Sequence, residues 1–247
     1  MITDFIRGFG YLFRGLALVR QPGLRRFVVV PLLVNILLFG VGVGYLAHEF
    51  SLWMERLTGW LPDWLDWLSW ILWPLFALTV LVVVFYTFSI LANLIAAPFN
   101  SVLAARAEAL LRGQPPQGSD ASLLAEALRT IGSELRKLGY LLLWMIPLLI
   151  LFIIPGINLI APVAWGLFGM WMLALEYADY PMGNHGLLFP QVRERARSRR
   201  WLALGLGAGI LLMSMIPVLN FLAMPVGVCA ATALWVDHFR DSATKPT

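Results

Sequence analysis

Four uncharged stretches limit what this chain can fold into. They cover residues 27–47, 67–105, 138–175 and 201–236, and are 21, 39, 38 and 36 residues long. A helix rises 1.5 Å per residue, so about 20 apolar residues cross the hydrocarbon core of a bilayer, and each stretch reaches that length. With 60% hydrophobic residues, 13% charged residues and a mean hydropathy of +0.79 over 247 residues, the chain is too apolar for a soluble domain. An all-α integral membrane protein follows. Residues 1–247 form a single membrane domain in this reading.

The first stretch, with its flanks, predicts a transmembrane helix over 22–48. Before it, Phe5, Phe9, Leu12, Phe13, Leu16 and Val19 recur at helical spacing opposite Arg7, Arg14 and Arg20, which predicts an interfacial amphipathic helix over 1–21. No long apolar core with a small-residue cleavage site occurs there, so a signal peptide is not expected. Residues 50–73 carry Trp53, Trp60, Trp64, Trp67, Trp70 and Trp73 among Glu55, Asp63 and Asp66. Indoles at this spacing favour the headgroup region, and the acidic residues would repel phosphates, which excludes a nucleic-acid surface. Pro74 and Pro98 divide the 39-residue run, leaving 74–98 as a second transmembrane helix. Residues 106–137 form the one sizeable polar segment, amphipathic in its second half.

The last hundred residues hold a near-repeat. Ile154-Pro155-Gly156-Ile157-Asn158 followed by Pro162 resembles Ile216-Pro217-Val218-Leu219-Asn220 followed by Pro225, each midway through a long uncharged run. The arms beside the prolines are shorter than a full span, so 138–175 and 201–236 read as two re-entrant helical hairpins with Asn158 and Asn220 at tips of unpaired backbone. Hairpins of short helices that cross fully are the alternative. Either way, 17 of the 18 Lys and Arg residues fall on one side, with Arg56 opposite. The positive-inside rule makes that side cytoplasmic and puts both termini there.

Arg20-Gln21-Pro22-Gly23-Leu24-Arg25-Arg26 stands at the entry of the first span. Pro22 suits the first helical position, leaving the amides of Gly23, Leu24 and Arg25 free for an anion, with Arg25 and Arg26 supplying guanidinium donors. Two arginines at a helix entry also serve as plain interfacial anchors, and both readings stand at this point. Elsewhere, Glu176, Asp179 and His185 form a polar cluster suited to a proton relay, or to surface pairing with the arginines of 193–200. No metal-ligand spacing, nucleotide loop or disulfide framework occurs; Cys229 is the single cysteine. No cofactor is expected and no enzyme.

These motifs together resemble the CysZ family of sulfate permeases. The resemblance rests on Gly23-Leu24-Arg25-Arg26 with Pro31, Ala97-Pro98-Phe99-Asn100, the Ile-Pro-x-x-Asn repeats and Glu176-Tyr177-x-Asp179-Tyr180-Pro181, and covers nearly the whole chain. It implies two long transmembrane helices and two hemi-penetrating hairpins in the bacterial inner membrane. It also implies a homo-oligomer, built from dimers up to a hexamer, that imports sulfate for cysteine synthesis without ATP. Sulfate would be held by Gly23, Leu24, Arg25 and Arg26, and Asn35, Asn93, Asn100 and Arg106 are candidates to line its path. A proton-coupled sulfate or sulfite carrier using Glu176, Asp179 or His185, and a non-transporting membrane scaffold, are the competing functions.

Overall fold

A computed structural model of the chain describes residues 1–60, 66–114 and 123–240. Every regular element among them is a helix: α1 (Ile2–Val19), α2 (Arg26–Trp60), α3 (Asp66–Arg112), α4 (Leu123–Ile153), α5 (Ala161–Gly183), α6 (Phe189–Ser198), α7 (Arg200–Met215) and α8 (Pro217–Leu234). A π-helical turn, Trp235–Phe239, continues α8. The chain divides into one unit of Met1–Val28 with Asn100–Thr247 and a second of Val29–Phe99.

The helix boundaries differ from those expected in an informative way. Residues 50–60 are not a separate interfacial element but the end of α2, which runs unbroken for 35 residues. Pro74 and Pro98 lie inside α3, which continues for 47 residues. At 1.5 Å per residue these helices reach about 52 and 70 Å, well beyond a hydrocarbon core of about 30 Å. Likewise, the polar segment and the first arm of the first hairpin are one helix, α4, with Pro147 inside it. Prolines punctuate soluble helices, whereas in apolar helices their lost hydrogen bonds are made good locally.

In the Val29–Phe99 unit, Leu33, Ile36, Leu37, Val41, Tyr45, Leu75, Leu78 and Leu81 are exposed, as are Trp53, Trp67, Trp70 and Trp73. Apolar side chains presented outward along helices this long are surface for lipid. Among the described residues, Ile131–Ile153 and Leu219–Phe239 meet both the length and the composition needed to cross a membrane. The first is almost wholly unburied and the second is largely packed inside its unit.

The expected hairpins are present as helix pairs. Helices α4 and α5 are joined through 154–160, where Gly156 takes φ +84°, and α7 passes to α8 through Ile216 alone. At the tips, the Asn158 amide donates to the Ile154 carbonyl at 3.0 Å and the Asn220 amide to the Ile216 carbonyl at 2.8 Å. Helices α4 and α5 are 31 and 23 residues long, α4 carrying its charged residues in the half before Leu138.

The other unit is assembled around α7, which packs on α1, α5 and α8. Its Gly205-Leu206-Gly207-Ala208-Gly209 run explains how. Residues two apart on a helix point about 200° apart, so alternate glycines serve opposite faces. A Cβ on Gly205 would fall on the Phe5 carbonyl oxygen of α1, and one on Gly207 on the Met170 carbonyl oxygen of α5. Gly8 of α1 stands in the same relation to the Leu202 carbonyl, and Gly15 to the Val226 carbonyl of α8. The inward face of α1 thus sets Gly8 and Gly15 among Tyr11, Leu18 and Val19, and Phe13, expected among its apolar contacts, points outward. Backbone cannot yield as a side chain can. We expect Gly207→Ala to lower the melting temperature in detergent, as overpacking costs about 1–3 kcal/mol. Gly10→Ala, at an exposed site with open space around it, should raise it slightly through helix propensity. Equal effects at the two positions would refute backbone contact as the basis of α7 packing.

Candidate functional site

The stretch between α1 and α2 is a tight turn, and it departs from the expected helix start. Regular helix begins at Arg26, four residues after Pro22. The Gln21 carbonyl accepts from the amides of Leu24 at 3.0 Å and Arg25 at 3.2 Å, so these two amides are not free, as expected, but occupied. Gly23 N–H is not a donor in this set of turn bonds. The side chains divide by role. Leu24 is fully buried and belongs to the same core as Leu103 and Ala107, which anchors the turn, while Gly23, Arg25 and Arg26 are exposed.

Arg25 is held in place. Its Nε donates to the Arg20 carbonyl at 2.6 Å, closing the turn across the end of α1 and leaving the terminal guanidinium nitrogens outside that bond. The Arg26 guanidinium lies over the Phe27 ring, 4.9 Å from its centre. Each contact fixes a stem and spares donors, which is the arrangement an oxyanion needs. Gly23 is informative because the fold has no need of it. Its φ is not positive, and a Cβ there would meet nothing within 4 Å. A glycine free of both constraints leaves its backbone open to close approach by a ligand.

A second polar region is built where the end of α3 meets the turn after α5. Glu108 is fully buried, 2.7 Å from Arg112 Nη1 and 2.9 Å from His185 Nε2. Asn184 beside it donates from Nδ2 to the Ser101 carbonyl at 2.9 Å. Gly186, at φ +71°, lets the chain reverse there, and Ser133 Oγ of α4 accepts the Phe189 amide at the start of α6. Removing a partner from a buried ion pair is costly, so this cluster fixes the docking of α3.

The candidate relay residues separate in space by partner. His185 joins Glu108, whereas Glu176 and Asp179 converge on Lys137 of α4, at 2.9 and 3.5 Å, with Glu134 at 3.2 Å. The two acids therefore pair with Lys137, not with the arginines of 193–200. Of the path candidates, Asn100 is buried at 6% exposure with its side chain beside the Tyr180 hydroxyl, and Arg106 is exposed. The side chains of Asn35 and Asn93 lie outside the described residues. Glu108, Arg112 and Lys137 were not singled out from the sequence. The i,i+4 spacing of Glu108 and Arg112 was the available signal for the first two.

Residues 11–225 match the family described as Sulfate transporter CysZ/Etoposide-induced protein 2.4. The chain belongs to this family. It is 46% identical over 235 residues to a protein of Pseudomonas aeruginosa named Sulfate transporter CysZ, covering 94% of this chain and 96% of the relative. A protein of the same name from Pseudomonas fluorescens is 48% identical over 239 residues, covering 96% and 95%. The family is one of transporters, not enzymes, and with the apolar helices it makes this a membrane protein. The 20–26 turn falls inside the matched region, as do Glu108, Lys137 and His185.

Burial pushes the Asp179 carboxyl up to about 6, against the opposing pull of Lys137 and with repulsion from Glu134 and Glu176 adding to it. A folded state that holds this proton more tightly than the unfolded chain is favoured below about pH 4 by this group, and loses that contribution as pH rises through about 6. Melting of the protein in detergent should therefore show a declining component between pH 4 and 6 that Asp179→Asn removes. A variant with the same slope would exclude Asp179 as its source.

Proposed function

We propose that this protein carries sulfate across the bacterial cytoplasmic membrane and recognises it at the turn between α1 and α2. The observation that carries the reading is the set of donors there: an exposed Gly23 that neither packing nor backbone conformation requires, beside two fixed and exposed guanidinium groups. The names of the relatives supply the substrate. With Leu24 and Arg25 amides used within the turn, the backbone contribution narrows to the Gly23 N–H, and Leu24 acts as the buried anchor rather than a ligand. Arg25 and Arg26 then carry most of the binding, each replacing part of the ion's hydration by charge-assisted hydrogen bonds.

Beyond the capture site, Asn100, a buried polar side chain near the end of the long apolar run of α3, is assigned to the path together with Asn35, Asn93 and Arg106. Passive, channel-like flow without ATP, serving cysteine synthesis from an oligomer of this chain with cytoplasmic termini, completes the reading. The ion pairs that hold Glu176 and Asp179 on Lys137 favour passive flow over a proton relay through those acids.

Equilibrium binding of sulfate to purified protein in detergent tests the recognition step. Arg25→Ala with Arg26→Ala should weaken it on the order of a hundredfold, since a hydrogen bond to a charged group contributes about 1.5–3 kcal/mol. Gly23→Ala should leave the fold and melting temperature unchanged but weaken binding about tenfold by crowding the amide. Unaltered affinity in both folded variants would remove this turn from sulfate recognition.

A further inference from the structure

A separate cationic cleft lies at the opposite end of α1. It has a volume of about 460 Å³ and is lined by Met1, Asp4, Arg197, Ser198, Arg199, Arg200, Trp201 and Leu202. Helix α1 is 18 residues long, so this cleft and the 20–26 turn are separated by about 27 Å of helix. We infer that this cleft is a binding site for the headgroup phosphate of an anionic phospholipid.

Charge is the first ground. Arg197, Arg199 and Arg200 are exposed, and among the described residues none of them is in an ion pair. Asp4, the one carboxylate in the lining, is 3.8 Å from the Met1 amino group. Three guanidinium groups with a single acid around one opening leave an excess of positive charge and of planar donors, the chemistry that recognises phosphate. Local contacts restrain two of them: Arg199 Nη1 lies 3.5 Å from His238 Nδ1, and the Arg200 guanidinium sits 5.6 Å from the centre of the Trp201 ring.

Backbone geometry adds donors. Arg199, with φ −128° and ψ 50°, breaks the chain between α6 and α7, and the first hydrogen bond of the new helix runs from Ala203 N–H to the Arg199 carbonyl at 3.2 Å. The amides of Arg200, Trp201 and Leu202 precede it in the first turn, where the helix dipole also favours an anion.

Size and surroundings choose the ligand. The cleft has far more room than a single tetrahedral oxyanion fills. Beside it, Met1, Ile2 and Ile6 are strongly exposed apolar side chains. A free oxyanion has no use for that apolar surface, whereas the acyl chains of a lipid do; Trp201 suits the interface between the two. An anionic headgroup seated here would pin the start of α1 and the α6–α7 corner to the membrane surface.

Chemical protection on the wild-type protein tests this without relying on a variant's folding. Phenylglyoxal modification of arginines, mapped by mass spectrometry, would be run in detergent with phosphatidylglycerol, with phosphatidylcholine, or with inorganic phosphate or sulfate alone. Phosphatidylglycerol should slow modification of Arg197, Arg199 and Arg200 at least fivefold and leave Arg136 unchanged, while phosphatidylcholine and the free anions protect none of them. Equal protection by phosphatidylcholine, or by inorganic phosphate or sulfate, would overturn the assignment. In native mass spectrometry, Arg197→Gln/Arg199→Gln/Arg200→Gln should retain phosphatidylglycerol about tenfold less well than the wild type; full retention by the folded variant would overturn it equally. Sulfate binding at the Gly23–Arg26 turn should persist in this variant, so the two sites fail independently.

Discussion

Close backbone contact between helices is the constraint on which the rest of this structure depends. In lipid, apolar side chains gain little by leaving one apolar environment for another, so association rests on packing that only small residues permit. Gly205 and Gly207 place α7 directly against the backbones of α1 and α5, and Gly15 does the same for α1 and α8. Because α1 is fixed in this way along its length, its end is fixed as well. The turn that follows inherits that rigidity through Leu24, which inserts into the core, and through Arg25, whose Nε bond to Arg20 ties the turn to the helix end. Donors arranged before a ligand arrives lose less freedom on binding it.

In the role proposed for this turn, the ligand is a divalent oxyanion. An ion stripped of water without compensation would cost tens of kcal/mol in the Born limit, so it must meet donors at each stage of its passage. Guanidinium groups at an exposed turn can take over part of a hydration shell while water still supplies the remainder. Deeper polar groups must be sparse and each satisfied by a partner or by the ion. Asn100, buried beside the Tyr180 hydroxyl, is the group proposed for that role, whereas Glu108, Arg112 and His185 are satisfied by one another and serve to hold the architecture.

Much of this was legible in the residues, and the exceptions share physical causes. Helical class and membrane character follow from apolar run lengths. Helix boundaries were misplaced because Pro74 and Pro98 were read as breaks, a rule set by water's readiness to take over freed backbone groups. Likewise, Pro22 signalled a helix start, but the Gln21 carbonyl captured the Leu24 and Arg25 amides in a turn first, a competition that residue types alone do not decide. The pairing of Glu176 and Asp179 with Lys137 spans about forty residues of chain and depends on how α4 lies against α5. The alternating glycines of α7 went unread in the sequence, because which helices they admit is a property of the assembled unit.

The central claim is that the α1–α2 turn recognises sulfate for a protein that conducts it unaided. Uptake of radiolabelled sulfate into proteoliposomes containing only this protein, without ATP, tests it most directly when run beside Arg25→Ala/Arg26→Ala. Uptake by the wild type that falls at least tenfold in the folded variant is the result predicted here. Equal uptake by the two proteins would show that sulfate passes without this turn and would contradict the account.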